Sequence, residues 1–135
     1  MDTLRSMLPP HDGFLPLWLL LVAVTGTGNS IQAYNTLHYT RRVYSPEAVN
    51  PLSARTFGTW TLLTSVIRFY AAYHINDPTI YQMTLWAHGI AFFHFVSEWR
   101  YFRTTSWDLP LAFPICVASF TLVWMFTAWS YYVPA

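Results

Sequence analysis

Four long apolar segments, separated by short polar connections, occupy most of this 135-residue chain. They run from Phe14 to Tyr34, Phe57 to Ile75, Thr79 to Ser97 and Leu109 to Val133, each near the ~20 residues with which a helix spans hydrocarbon. Little remains to fold in water. In lipid, the backbone of such segments is satisfied only by helices or by a closed barrel. Barrel strands are ~10 residues long with alternating polarity, and these runs are longer and do not alternate. The expected fold is all-α: a polytopic membrane protein whose residues 1–135 form a single four-helix transmembrane bundle with short connections.

Composition narrows the alternatives. A chain that is 54% apolar and 19% aromatic is not disordered, and a net charge of +1 without a basic run points to no nucleic acid partner. Cys116 is the only cysteine, so neither an intramolecular disulfide nor a thiolate metal cage is available. All seven basic side chains are arginine. Genomic base composition accounts for that bias, although arginine also makes better fixed contacts with phosphates and carboxylates. The stretch from Leu15 to Val24 resembles the apolar part of a secretory signal. Asp2 and Asp12 offset Arg5, however, and the apolar character continues through Ile31 and Tyr34, so a retained span is expected.

The connections carry helix-start signals. Asn50-Pro51, Asp77-Pro78 and Asp108 ahead of Pro110 each set a capping side chain at a proline that the first turn tolerates. Ser45-Pro46-Glu47 reads as a short turn on the membrane surface. The connection from Asn76 to Pro78 is so short that the second and third spans form an antiparallel hairpin. Arg41, Arg42, Arg55, Arg100 and Arg103 lie in the first and third connections, while the termini and second connection hold only Arg5. The arginine-bearing connections are therefore expected in the cytosol, with both termini on the far, lumenal side.

Polar side chains inside spans are costly and normally face the bundle interior or a partner. On the first span Thr25, Asn29, Gln32 and Thr36 share a face beside the small residues Ala23, Gly26, Ser30 and Ala33, a surface suited to close packing with interhelical hydrogen bonds. Gly26-x-Gly28 sits inside an apolar helix without a preceding strand and is no nucleotide loop. The second span sets Thr61, Thr64, Ser65 and Arg68 on one side. Folding the hairpin about its turn puts Arg68 level with Leu85 and Trp86 and a turn from His88. A cation–π contact with Trp86 or a backbone carbonyl is the expected structural partner, with ligand binding as the alternative.

The same geometry pairs Arg55 with Glu98, with Arg100 and Arg103 as competitors for the carboxylate. Thr84, Ala87, Ala91, His94 and Glu98 share a face of the third span. His94 and Glu98, four apart, are too few for a metal site; they suit a structural pair better than a general acid and base. The fourth span lines up Ala112, Cys116, Ser119, Thr127 and Ser130, with Trp and Tyr residues near its ends as interfacial anchors.

Three stretches carry a family likeness: GNSIQAY at 28–34, ARTFGTWTLLTSVIRFYAAYHI at 54–75 and WAHGIAFFHFVSEWRYF at 86–102. In sequence, order and spacing they resemble the ergosterol biosynthetic protein 28 family, over nearly the whole chain. The resemblance implies a non-enzymatic scaffold of the endoplasmic reticulum membrane, without a cofactor. Its implied partners are the sterol C-4 methyl oxidase, the C-3 sterol dehydrogenase that decarboxylates, the 3-keto sterol reductase and the sterol C-24 methyltransferase. Family motifs map onto Asn29, Gln32, Tyr34, Arg55, Thr56, Phe57, Trp60, Arg68, Tyr70, His88, His94, Glu98, Trp99 and Arg100. Arg41, Arg42, Arg100 and Arg103 are the candidate docking residues for enzyme domains, or else simply hold topology and anionic membrane lipid.

Two rival readings stand beside this one. In the first, the chain is a small sterol-transforming enzyme in which His94 and Glu98 move protons while Arg68 or His88 fixes a sterol hydroxyl. In the second, it is a sterol-binding or transfer module with a pocket between the polar faces of spans two and three. Small-residue faces on the first and fourth spans, of which a chain this small buries only one well, predict a homodimer.

Overall fold

The computed structural model describes residues 2–134, and its helices begin where the sequence sets capping groups. Asn50 closes a capping box with Ser53: its side-chain oxygen accepts from the Ser53 amide at 2.8 Å, and Ser53 Oγ accepts from the Asn50 amide at 2.9 Å. Asp77 accepts from the amides of Thr79 and Ile80, and Asp108 from that of Leu109. A proline follows each within the first turn, where its missing N–H has no helical partner to lose.

The described residues form α1 (Asp2–Met7), α2 (Leu15–Asn35), α3 (His38–Val43), a 3-10 turn at Pro46–Ala48, α4 (Pro51–Tyr73), α5 (Pro78–Arg100), α6 (Leu109–Thr127) and α7 (Trp129–Tyr132). The long helices α2, α4, α5 and α6 have 19 to 23 residues. Two boundaries depart from the apolar runs. The second helix begins at Pro51 rather than Phe57, because the capping box and not hydropathy sets its start. The fourth apolar run is not one helix, since the chain turns at Ala128 and resumes as α7.

Among the described helices α6 is the one long and apolar enough, by length and composition, to cross a membrane. Polar residues lower the apolarity of the others: Asn29 and Gln32 on α2, Arg55 and Arg68 on α4, His88, His94 and Glu98 on α5. All four long helices nevertheless leave large apolar side chains uncovered, among them Leu21, Leu63, Trp86, Phe93, Phe113 and Phe126.

Small residues decide the main contact. Ala23, Gly26, Ser30 and Ala33 are all buried on α2, facing the buried Gly58 and Ser65 of α4. A Cβ added at Gly58 would lie 3.1 Å from the Ala33 Cβ and 3.2 Å from the Ser30 carbonyl oxygen, and one at Gly26 would collide with Ser65 Oγ. The backbones approach this closely because neither position carries a side chain, the source of helix attraction where lipid supplies no hydrophobic drive. The comparable stripe of the fourth apolar run is left partly uncovered, with Cys116 and Thr127 exposed on α6 and Ser130 on α7.

The helices pair α2 with α4 and α5 with α6, while α4 and α5 touch less extensively. The Tyr81 hydroxyl of α5 donates to the Met125 carbonyl of α6. One core cluster gathers Leu15, Leu19, Ala71, Ile75, Tyr81 and Met125, and a second gathers Val43, Phe95, Leu111 and Ile115. The Ser45 amide donates to the Thr104 carbonyl at 2.6 Å, tying the first connection to the third at one end. At the other end Tyr73 donates to the Met7 carbonyl at 2.6 Å, and Gly13, at φ 87°, passes against the Tyr132 hydroxyl. The arginine-bearing connections therefore share one end, and both termini share the other with the α4–α5 turn.

Candidate functional site

A chain of hydrogen bonds crosses the buried middle of the molecule. Ile80–Thr84 and Thr61–Thr64 are ordinary helical turns whose threonine hydroxyls donate back to the carbonyls of Ile80 and Thr61. The Thr84 carbonyl lies 2.9 Å from His88 Nδ1. A carbonyl only accepts, so Nδ1 carries the proton and Nε2 presents its lone pair. Arg68 Nε donates to that lone pair at 3.2 Å, and Arg68 Nη1 donates to Thr64 Oγ1 at 3.3 Å. His88 is fully buried and Arg68 is 8% exposed. The expected Trp86 cation–π contact is replaced by this imidazole: Trp86 lies on the outer face of α5, 72% exposed. His88 instead shares the inner face with Thr84, Ala87 and Ala91.

Arg68 also borders a cleft of about 400 Å³ enclosed by α2, α3, α4, α5 and α6. Its walls are Trp18, Phe57, Trp60, Phe95, Phe113 and Val117, with Thr25, Asn29, Thr61 and Thr64 as polar points and Arg42 at the end that holds the connections. Two prolines of α6, Pro110 and Pro114, complete one wall; Pro114 has no N–H to offer the Pro110 carbonyl. This cleft opens chiefly among α2, α4 and α6, because α4 leans on α2 and α5 on α6; the space that α4 and α5 line together, where a pocket between spans two and three is expected, is the second cleft at His94 and Glu98.

The other ionisable pair is divided between two partners. His94 Nε2 lies 2.5 Å from the Tyr44 hydroxyl, and the Glu98 carboxylate accepts from Thr104 Oγ1, whose residue also donates its amide to the Glu98 carbonyl. The expected Arg55–Glu98 pair is corrected accordingly: Arg55 is exposed on α4, and the third connection folds back to fill the carboxylate. Phe57, Trp60 and Phe95 pack their rings around Tyr44 and His94. Burial, then the Glu98 charge and Tyr39, push the Tyr44 hydroxyl well above the usual tyrosine range. A second cleft of about 620 Å³ opens here, lined by Thr40, Tyr44, Trp60, His94, Glu98 and Thr104. Tyr44, Thr104 and Trp18, whose indole donates to Thr121 Oγ1 at 2.9 Å, were not picked out in the sequence; no spacing rule ties them to their partners.

The remaining candidates are spread out. Asn29 borders the cleft beside Arg68, while Gln32 is exposed one turn on. Arg41, Arg42, Arg100 and Arg103 are all exposed at the end that holds the first and third connections. Arg100 lies over the Trp99 ring at 5.4 Å, and Arg103 holds a left-handed backbone at φ 59°. Among the described residues no three His, Cys, Asp or Glu side chains converge as metal ligands would.

The family model described as "Erg28 like protein" matches residues 15–123. The chain is 47% identical over 132 residues to ergosterol biosynthetic protein 28 of Candida albicans, covering 96% of each chain. It is 43% identical over 123 residues to that of Saccharomyces cerevisiae, covering 89% of this chain and 83% of the relative. Against the homolog of Homo sapiens the identity is 39% over 118 residues, covering 84% of each. No solved structure matches.

Proposed function

Because this chain belongs to the Erg28 family, and with it to ergosterol biosynthesis, we propose that it is a non-catalytic, four-span scaffold of the endoplasmic reticulum membrane. It gathers the sterol C-4 methyl oxidase, the C-3 sterol dehydrogenase, the 3-keto sterol reductase and the sterol C-24 methyltransferase. One observation carries the reading. Four ionisable side chains within the long helices hold the helices to one another or to their connections: Arg68 bonds His88, His94 meets Tyr44 and Glu98 takes Thr104. Large apolar side chains meanwhile face outward on every long helix, a surface suited to lipid and to the spans of other proteins.

The exposed arginines at one end complete the reading. Arg41, Arg42, Arg100 and Arg103 present fixed positive charge to acidic surfaces of cytosolic enzyme domains, while both termini are lumenal. Holding successive enzymes together raises the local concentration of the next acceptor without any chemistry from the tether. The partly uncovered stripe of α6 is the face for self-association.

The test is reconstitution of the purified enzymes in liposomes with and without this chain. The scaffold reading expects faster passage of sterol through the whole sequence and no turnover by the chain alone. Turnover by the isolated chain that Glu98→Gln abolishes would favour the enzyme reading.

A further inference from the structure

The cleft beside Arg68 has a feature that the tether does not use: a buried cation with donors to spare. Arg68 carries five N–H groups, of which the bonds to His88 and Thr64 engage two. It borders the cleft, and only 8% of it is exposed. Among the described residues no carboxylate joins it: Glu98 is taken by Thr104, and Asp77 and Asp108 cap helices. His88, the one other ionisable group against it, is in the tautomer that accepts from Arg68 and cannot neutralise it. A guanidinium held among apolar helices without a counter-charge favours an anion strongly.

The rest of the cleft describes the remainder of the ligand. From Phe57 to Arg68 along α4 is about 16 Å at 1.5 Å per residue, and the walls between them are chiefly aromatic and branched apolar side chains. The volume of about 400 Å³ falls in the ~300–1,000 Å³ range of small-molecule sites. Asn29 also borders the cleft and adds a polar point to its wall. We propose that this cleft binds a lipid-soluble, polycyclic carboxylic acid, of the class to which a sterol acid belongs, with its carboxylate on Arg68 and its ring system between Phe57, Trp60, Phe113 and Val117. The proposal rests on the membrane-spanning reading and is independent of tethering.

The full chain in nanodiscs of neutral phospholipid, first shown to resist carbonate extraction from membranes, is labelled with a photoreactive sterol carboxylic acid and, separately, with its methyl ester. Saturable labelling by the acid is expected, with half-saturation by the ester needing at least about tenfold more probe. Arg68→Met removes that preference, and Arg55→Gln, at an exposed arginine of α4 outside the cleft, keeps it. Val117→Phe, which fills the cleft without touching the arginine, lowers labelling by both probes. Equal labelling by acid and ester in the unaltered protein overturns the proposal. So does a preference that survives in Arg68→Met with unchanged helicity and elution, or equal competition by oleate, which would assign the cleft to chain acids instead.

Discussion

Arg68 Nε donates to His88 Nε2 at 3.2 Å, joining α4 to α5 through two side chains that are both buried. Hydrogen bonds between helices in a bilayer contribute about 0.6 kcal/mol on average and up to about 1.7 kcal/mol. Removing one partner leaves the other buried and unsatisfied. Arg68→Met and His88→Leu are therefore expected to be non-additive, with a coupling of about 0.6–1.7 kcal/mol in reversible unfolding in bicelles. Additive losses would mean that the two side chains do not act as a pair.

The contact between α2 and α4 gives a prediction on glycines. Gly58 faces Ala33 and the Ser30 carbonyl, whereas nothing lies within 4 Å of a Cβ at Gly28. Gly58→Leu should destabilise by about 1–3 kcal/mol through overpacking. Gly28→Ala should be neutral or gain up to about 1 kcal/mol from helix propensity. Thermal unfolding of both variants in the same detergent checks the contrast, and equal effects would contradict the close approach.

Tyr44 supplies a pH signature outside the long helices. Its hydroxyl is held protonated by burial first and then by the negative Glu98. Because the folded value lies above the unfolded one of about 10, its stabilising contribution is complete below pH ~10 and is lost as pH rises further, when only the unfolded chain ionises. Wild-type stability should thus fall above about pH 10 more steeply than that of Tyr44→Phe, as read from melting temperatures across alkaline buffers. Parallel profiles would show that Tyr44 titrates alike in both states.

Sidedness can be read with single cysteines. In a Cys116→Ser background, Ser45→Cys at the arginine-bearing end should react with an impermeant maleimide in sealed, cytosol-side-out microsomes. Asn76→Cys at the opposite end should react only after permeabilisation. Labelling of both without permeabilisation would rule out the four-span topology.

Local features were legible from the residues, because capping is local chemistry. Asn50, Asp77 and Asp108 each start a helix as their spacing requires, and the small stripe of α2 is buried. What sequence did not settle was which helices pair. The stripe says that a close neighbour exists but not that it is α4. The hairpin arithmetic brought Arg68 near the level of His88 but failed for Arg55 and Glu98. It assumes that α4 and α5 stay together along their length, whereas each leans on another helix. Depth alone points to Trp86 as readily as to His88, because it ignores which face a residue occupies. Tyr44 and Thr104, in connections that hydropathy treats as linkers, close over His94 and Glu98 through long-range folding that no periodicity encodes.

The central claim, that the chain assembles sterol enzymes rather than acting on sterols, is tested most directly by quantitative mass spectrometry of the tagged protein purified from membranes in mild detergent. The account predicts the C-4 methyl oxidase, the C-3 dehydrogenase and the 3-keto reductase in near-stoichiometric amounts, reduced when Arg41, Arg42, Arg100 and Arg103 are all changed to Glu. Purification free of those enzymes, from membranes in which they are abundant, would contradict it.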